Sequence, residues 1–407
     1  MKVYTTNMEI TLMAMTIGLS MSSCIEPFVA EAVDFNSAIV IEATITDENK
    51  NQEILVSRTF ALDTTGIYGE RGAHVSVTDT NGAVYDFEES EEGKYISNVS
   101  FAAQAGLGYS LSVTTVDGSV YSSDEVVTPQ PTQIDSVYSV RGFNNISLKD
   151  GMFIYIDSYD PTGANKYYRY TYEETYKIIP PFWSAYETFI TTSDPLSLLV
   201  DLRPRQREER VCFTTAVSNS IIQESTTNFN QNRISRFPVR FISRENYILS
   251  HRYSILVKQY VQSPEAYAYF RGLNDLSKSG SIFSQIQTGF LEGNIKSEQN
   301  LDEEVVGFFE VSSVSEKRVF FNYSDYFPEE KLPPFIADCT FQIPNQEISL
   351  IFLVENEILE FFQFADGDDD ERPDNGGVPQ YPYVMVPTIC GDCNVLGSNI
   401  KPDFWID

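Results

Sequence analysis

Residues 72–89, GAHVSVTDTNGAVYDFEE, carry the pattern that decides the fold. Ala73, Val75 and Val77 alternate with His74, Ser76 and Thr78, and Tyr85 and Phe87 resume the apolar face after Asn81-Gly82. A period of two places alternate side chains on opposite faces of a strand. Asn-Gly tolerates positive φ at both central turn positions, so the stretch predicts an antiparallel hairpin. The same grammar runs outward in both directions. AIVIEATITD (38–47), QEILVSRTF (52–60) and GKYIS (93–97) read as strands rich in β-branched residues. In GYSLSVTTVDGSVYSS (108–123), Tyr109, Leu111 and Val113 share a face before a second turn at Asp117-Gly118. Six or seven short strands over residues 36–129 predict an antiparallel sandwich of immunoglobulin or transthyretin type. His74 falls on its polar face and reads as a solvated strand histidine.

TPQPTQ (128–133) is a polar, proline-bearing linker. Beyond it, residues 134–407 predict a larger β-rich domain with one or a few helices, so the whole chain is mainly β. DSVYSV (135–140) and GMFIYIDSYD (151–160) are strand-like. NKYYRYTYEETYKIIPPFW (165–183) sets Tyr168, Tyr170 and Tyr172 on one face against Tyr167, Arg169 and Thr171 on the other. Such a strand is core on one side, with a groove wall as the alternative; in the latter case Tyr168, Tyr170 and Trp183 are ligand-binding candidates. One helix is clear: Ser263 at the N-cap, Pro264 at the first helical position, and Ala266, Tyr267, Phe270 and Leu273 at helical spacing. It is expected to close near Ser279-Gly280 and to lie on a sheet face. Strands return in VVGFFEVSSVSEKRVFFNY (305–323).

The chain's 407 residues carry 58 Asp and Glu against 28 Lys and Arg, a formal charge of −30. That surface repels phosphate backbones, which argues against nucleic acid as a partner. Against this background RPRQREER (203–210) concentrates Arg203, Arg205, Arg207 and Arg210. It is expected to face nearby carboxylates, with an anion or acidic partner as the alternative. Asp366, Asp368 and Asp370 alternate as calcium ligands do, but counted from Asp366 the loop lacks the glycine and bidentate glutamate of an EF-hand, so a solvated acidic loop is expected. With only His74 and His251 in the chain, histidine-based metal or triad chemistry has few parts, and no cofactor is expected.

Before Cys24 stand fourteen uncharged residues (10–23), about 21 Å of helix and too short for a bilayer core of ~30 Å. Met21, Ser22 and Ser23 ahead of the cysteine resemble a bacterial lipobox. Residues 1–23 then read as a lipoprotein signal peptide, Cys24 as the acylated anchor in outer-membrane lipid, and residues 24–35 as a tether. Setting Cys24 aside leaves Cys212, Cys339, Cys390 and Cys393, an even number for which disulfides are expected in an exported chain. Three pairings are open. A bridge from Cys339 to Cys390 or Cys393 ties the C-terminal tail to the body. CGDC also suits redox or zinc chemistry, but no helical period follows it. Phe404 and Trp405 are expected to dock into an apolar surface.

Taken together, the cysteine followed by IEPF, the IVIEATITDE strand, the 72–87 hairpin, YSILVKQYVQSPEAYAYFRGL and the terminal CGDCNVLGSNIKPDFW resemble the outer-membrane lipoproteins grouped as domain of unknown function 4249. The likeness covers nearly the whole mature chain. Members tend to be encoded beside TonB-dependent receptors. The resemblance implies a lipid-anchored accessory or binding protein on the cell surface that partners a receptor barrel in solute capture or gating. It supplies no catalytic residues, and a non-enzymatic role is expected. A surface hydrolase acting on glycans or peptides is the alternative, resting on Glu88, Glu89, Glu91 and Glu92 or on Glu173 and Glu174. An adhesin or structural spacer is a third reading.

Overall fold

The structure, a computed structural model, describes residues 37–59, 68–194, 197–278, 291–344, 347–365 and 383–407. Contacts divide the chain into residues 1–37 with 60–66 and residues 38–59 with 67–407, and the elements below belong to the second unit. The expected signal peptide, Cys24, the tether, Asp366, Asp368 and Asp370 lie outside the described residues, as does the expected helix closure at Ser279-Gly280.

The protein is mainly β. Its N-terminal part holds β1 (Ile39–Thr46), β2 (Glu53–Arg58), β3 (Tyr68–Gly69), β4 (His74–Asp79), β5 (Val84–Glu91), β6 (Lys94–Ser97), β7 (Gly108–Thr114), β8 (Val120–Ser123) and β9 (Val126–Val127). Next come β10 (Ile134–Asn144), β11 (Lys149–Tyr159), β12 (Tyr167–Ile178), β13 (Tyr186–Asp194), β14 (Ser197–Pro204), β15 (Cys212–Val217), β16 (Ile222–Ser225), β17 (Arg233–Ser243) and β18 (Arg252–Val261). The remainder holds helix α1 (Pro264–Lys278), β19 (Ile295–Ser297), β20 (Val305–Asn322), α2 (Tyr323–Tyr326), α3 (Glu347–Glu355), β21 (Leu359–Phe364), β22 (Tyr383–Pro387) and α4 (Thr388–Gly391).

β4 and β5 form the expected hairpin, with Val75 opposite Phe87 and Val77 opposite Tyr85. Its turn differs from the Asn-Gly expectation, because only Gly82 has positive φ (87°). Asp79 Oδ1 accepts hydrogen bonds from the Asn81 and Ala83 amides, both at 2.9 Å. This local bonding holds the loop open by one residue, and a single left-handed glycine completes it. The Asp117-Gly118 turn repeats the device, with Gly118 at φ 88°. His74 is exposed on this sheet, 3.7 Å from Asp86.

A fifteen-stranded sheet carries most of the strands, in the order β15-β12-β18-β20-β1-β2-β6-β5-β4-β7-β8-β19 with β3, β9 and β16 branching off. Two cores lie along it. The first gathers Ile39, Ile41 and Ile45 with Val75, Val77, Tyr109, Leu111 and Val113. The second is a sandwich in which the three-stranded sheet β10-β11-β17 covers β12, β18 and β20, so Ile154, Ile156 and Ile242 meet Tyr170, Tyr253, Ile255 and Phe321.

β20 serves both cores. Its first half pairs in parallel with β1, Val305 opposite Ile39 through Ser312 opposite Thr46. Its second half pairs antiparallel with β18, Ser313 opposite Val261 through Asn322 opposite Arg252. On one face of the strand Phe309 and Val311 enter the first core and Phe321 enters the second. Between them Ser313 and Ser315 interrupt the apolar run, because the 128–133 linker crosses the strand there. Ser313 Oγ donates to the Gln130 carbonyl at 3.2 Å, Ser315 Oγ accepts from the Ile134 amide at 3.0 Å, and Gln259 Nε2 donates to the Thr132 carbonyl at 2.9 Å. The linker backbone groups that are turned onto the strand are covered there and must be bonded, and these polar side chains supply the partners. Gly307 permits the parallel pairing: its φ is 133°, and a Cβ there would stand 2.0 Å from the Ile41 carbonyl oxygen.

α1 starts as its sequence predicts, with Ser263 Oγ accepting from the Ala266 amide at 3.1 Å. Its buried stripe is shifted from the expected one. Tyr269 replaces Leu273, which is 38% exposed, because Tyr269 stacks on Phe308 of β20 at 5.1 Å. A third, smaller core joins Val200 of β14 with Leu350 of α3 and Leu359, Phe361 and Met385 of the β21–β22 hairpin.

Candidate functional site

The end of the second core carries a groove built from three segments. β12 stops at Ile178 because Pro180 and Pro181 cannot donate to a ladder, and the chain turns outward to Trp183. A short 3₁₀ turn, Tyr247–Leu249, is capped by Asn246 Oδ1 accepting from the Ile248 amide at 3.2 Å. Across from both runs a strap, residues 327–344, containing Leu332-Pro333-Pro334-Phe335.

The strap is fastened along its length. Glu329 turns the chain in a left-handed conformation with φ 65°. Arg141 and Arg244 grip Glu330 at 2.9 and 2.5 Å, and Tyr323 Oη donates to the Lys331 carbonyl at 2.9 Å. Phe335 meets the Tyr247 ring edge-on at 6.2 Å. Tyr247 Oη in turn shares a hydrogen bond with Tyr176 Oη at 3.1 Å, and burial, then this bond, raises the Tyr176 phenol above its ordinary range. At its far end the strap is tied by a disulfide from Cys339 to Cys390.

Tyr247, Leu332, Pro333 and Phe335 form the wall between two cavities. One, of about 850 Å³, is lined by Lys149, Arg244, Tyr323 and Glu330. The other, of about 490 Å³, is lined by Lys177, Pro180, Trp183, Arg210 and His251. A third, of about 450 Å³, continues past His251 to Arg252, Phe327 and Asp407. His251 sits half-buried between them. Burial, and next the Lys177 charge, hold its imidazole below the ordinary histidine range, against a hydrogen bond to the Ile179 backbone. The imidazole is therefore neutral at physiological pH.

Of the sequence candidates, the groove takes Trp183 and, from the arginine run, Arg210. Tyr168 and Tyr170 are core residues, 1% and 0% exposed, so they form no groove wall. Their hydroxyls bond internally, to the Asn165 carbonyl and to Gln259 Oε1.

The other arginines meet carboxylates. Arg203 pairs with Glu187 at 2.6 Å. Arg205 is buried and bonds Glu209, Glu360 (2.9 Å) and the Ser184 carbonyl (2.7 Å). Arg207 bonds Glu209 and, at 3.0 Å, Asp392. Burial pushes the Glu360 carboxyl up, with Arg205 opposing. The run is thus an internal clamp on the C-terminal segment. The same segment is held by a disulfide from Cys212 to Cys393, so the two cysteines of CGDC serve different bridges and both are fully buried. Trp405 docks between Phe213 and Phe320, at 4.9 and 5.7 Å. Among the described residues no group of three or more His, Cys, Asp and Glu is placed to hold a metal ion.

Glu88, Glu89, Glu91 and Glu92 lie exposed at the end of β5 and its turn. Glu174 is buried, bound by Arg240 through two bonds of 3.0 and 2.9 Å and by Tyr253 Oη at 2.6 Å. Tyr247, Phe335 and Lys177 drew no attention in the sequence. The available signal was the pair of Pro-Pro dipeptides, 180–181 and 333–334, which mark the two walls.

A family model described as Domain of unknown function (DUF4249) matches residues 25–318. The chain belongs to this DUF4249 family. The matched span ends inside β20, so it takes in the first large core and most of the second, whereas Phe321, the strap, three of the four bridged cysteines and Trp405 lie beyond it. No curated protein matches the chain. For a DUF4249 chain the groove is thus made jointly by the matched body and a C-terminal strap outside the match.

Proposed function

We propose that this DUF4249 protein is a non-enzymatic, lipid-anchored binding protein of the bacterial outer membrane, held at the cell surface through Cys24, that partners a TonB-dependent receptor barrel in solute capture or gating. The supporting observation is how its polar groups are used. Four of the buried carboxylates, Glu174, Glu209, Glu310 and Asp392, are each committed to an arginine, while the open groove is walled in part by aromatic rings and prolines. This arrangement supports a ligand-holding role over proton transfer in the groove. The lipobox-like run before Cys24 supports the anchor, and the family resemblance supports the receptor partner.

The test is purification of the acylated chain from detergent-solubilised outer membranes after cross-linking. Recovery of a TonB-dependent barrel, lost when Cys24→Ala prevents acylation, is expected. Repeated recovery of the chain without a barrel overturns the partner assignment. Absence of label after growth with a fatty-acid analogue overturns the anchor.

A further inference from the structure

The cavity beside Trp183 has an unusual balance of charge for this protein. The chain has 58 acidic residues to 28 basic ones, yet the lining of this cavity contains Lys177, Arg210 and His251 and no Asp or Glu. Neither Lys177 nor Arg210 forms an ion pair among the described residues, whereas Arg203, Arg205 and Arg207 all do. Arg210 instead lies over the Trp183 ring, 5.4 Å from its centre. Trp183 Nε1–H is buried and has no hydrogen-bond partner. The cationic groups here and the orphaned indole N–H are donors only, beside the Ser250 hydroxyl and the neutral His251 imidazole, which can also accept. Around them stand apolar surfaces from Pro180, Tyr247, Leu332 and Phe335. A volume of about 490 Å³ suits a small organic molecule.

We propose that this cavity binds a small aromatic or apolar carboxylate, its anionic end taken by Arg210 and Lys177 and its apolar body by Trp183, Tyr247 and Phe335. A carboxylate accepts hydrogen bonds and donates none, so it complements the guanidinium, the ammonium and the indole N–H of this lining. A cationic ligand meets two positive charges with no carboxylate in this cavity's lining to offset them, and a neutral one leaves them without an ion-pair partner. The inference rests on the binding-protein reading above and names a ligand class for it, but it requires neither membrane nor receptor.

The test is titration calorimetry on the full chain carrying Cys24→Ser, unacylated and free of detergent. The probes are 4-phenylbutyrate, 4-phenylbutan-1-ol and 4-phenylbutylamine, which share a body and differ in charge. Saturable one-to-one binding of the carboxylate is expected, with the alcohol weaker and the amine not binding. Arg210→Gln is expected to weaken the carboxylate by about tenfold, the size of one lost charge-assisted bond, and Lys177→Gln by less. Both side chains reach solvent, so both variants are expected to melt as the parent does. Absence of saturable carboxylate binding, equal binding of the amine, or unchanged affinity when Arg210→Gln and Lys177→Gln are combined overturns the proposal. The three-probe comparison on the parent decides the matter even if a variant fails to fold. Because no barrel is present, a negative result leaves the receptor partnership standing, and a missing barrel partner leaves this result standing.

Discussion

Arg169 of β12 and Glu310 of β20 form an ion pair of 2.6 Å at the point where the two large cores meet. Glu310 is 1% exposed, and its second oxygen accepts from Gln262 Nε2 at 2.7 Å. Arg169 lies between the rings of Tyr260 and Phe270, 4.3 and 4.8 Å from their centres. Thr44 of β1 adds a bond to the same carboxylate at 3.3 Å. One pair thus links strands of both cores and α1. Removing one member leaves a buried charge without a partner, which typically costs about 3–5 kcal/mol. Glu310→Ala and Arg169→Ala are each expected to fall in that range by denaturant unfolding. Arg169→Met with Glu310→Met is expected to cost less than either single change. A double variant as unstable as the sum of the singles would show that the two residues act independently.

His251 gives the fold an acid-sensitive element. Burial, with Lys177 adding to it, lowers its pKa in the folded state, whereas the unfolded chain titrates near ~6.5. The unfolded state therefore takes up the proton first as pH falls. The stability of the neutral imidazole is fully present above about pH 6.5 and is lost as pH drops through the folded value. His251→Gln is expected to flatten this part of the curve of unfolding free energy against pH. An unchanged slope below pH 6.5 in that variant would assign the acid sensitivity to other groups.

The two disulfides are expected to differ in weight. Cys212 and Cys393 are 181 residues apart, Cys339 and Cys390 51. In the chain-entropy model these loops contribute about 5 and about 4 kcal/mol. Cys212→Ala with Cys393→Ala is expected to lower the melting temperature further than Cys339→Ala with Cys390→Ala. Only the latter releases the strap, so carboxylate binding at the Trp183 cavity is expected to weaken in it out of proportion to its stability. Phe182 moves with that bridge, since its amide donates to the Cys390 carbonyl at 3.0 Å. Reversed stabilities, read by calorimetry, would reject the loop-length argument.

Much of the architecture was legible locally. Alternating Val75, Val77, Tyr109, Leu111 and Val113 reported buried faces, because a strand's period of two is written in neighbouring residues. The Ser263-Pro264 start of α1 and the two glycine turns were legible for the same reason: caps and turns are made by residues a few positions apart. The turn type was not, since the Asp79 side chain chose it. The shifted stripe of α1 was not, since Phe308 lies beyond the helix in sequence and selects Tyr269 by stacking.

The sequence by itself determined that this chain is mainly β, where its hairpins and main helix begin, and that its four later cysteines form an even set. Only the tertiary structure decided that β20 runs through both cores and pairs in parallel with β1, which cysteine bridges which, and which arginines are spent on carboxylates. The physical reason is that periodicity records whether a side chain is covered, not by what. Glu310, Asp392, Cys393 and Phe335 meet partners far away in the chain, and nothing in a local pattern encodes those meetings.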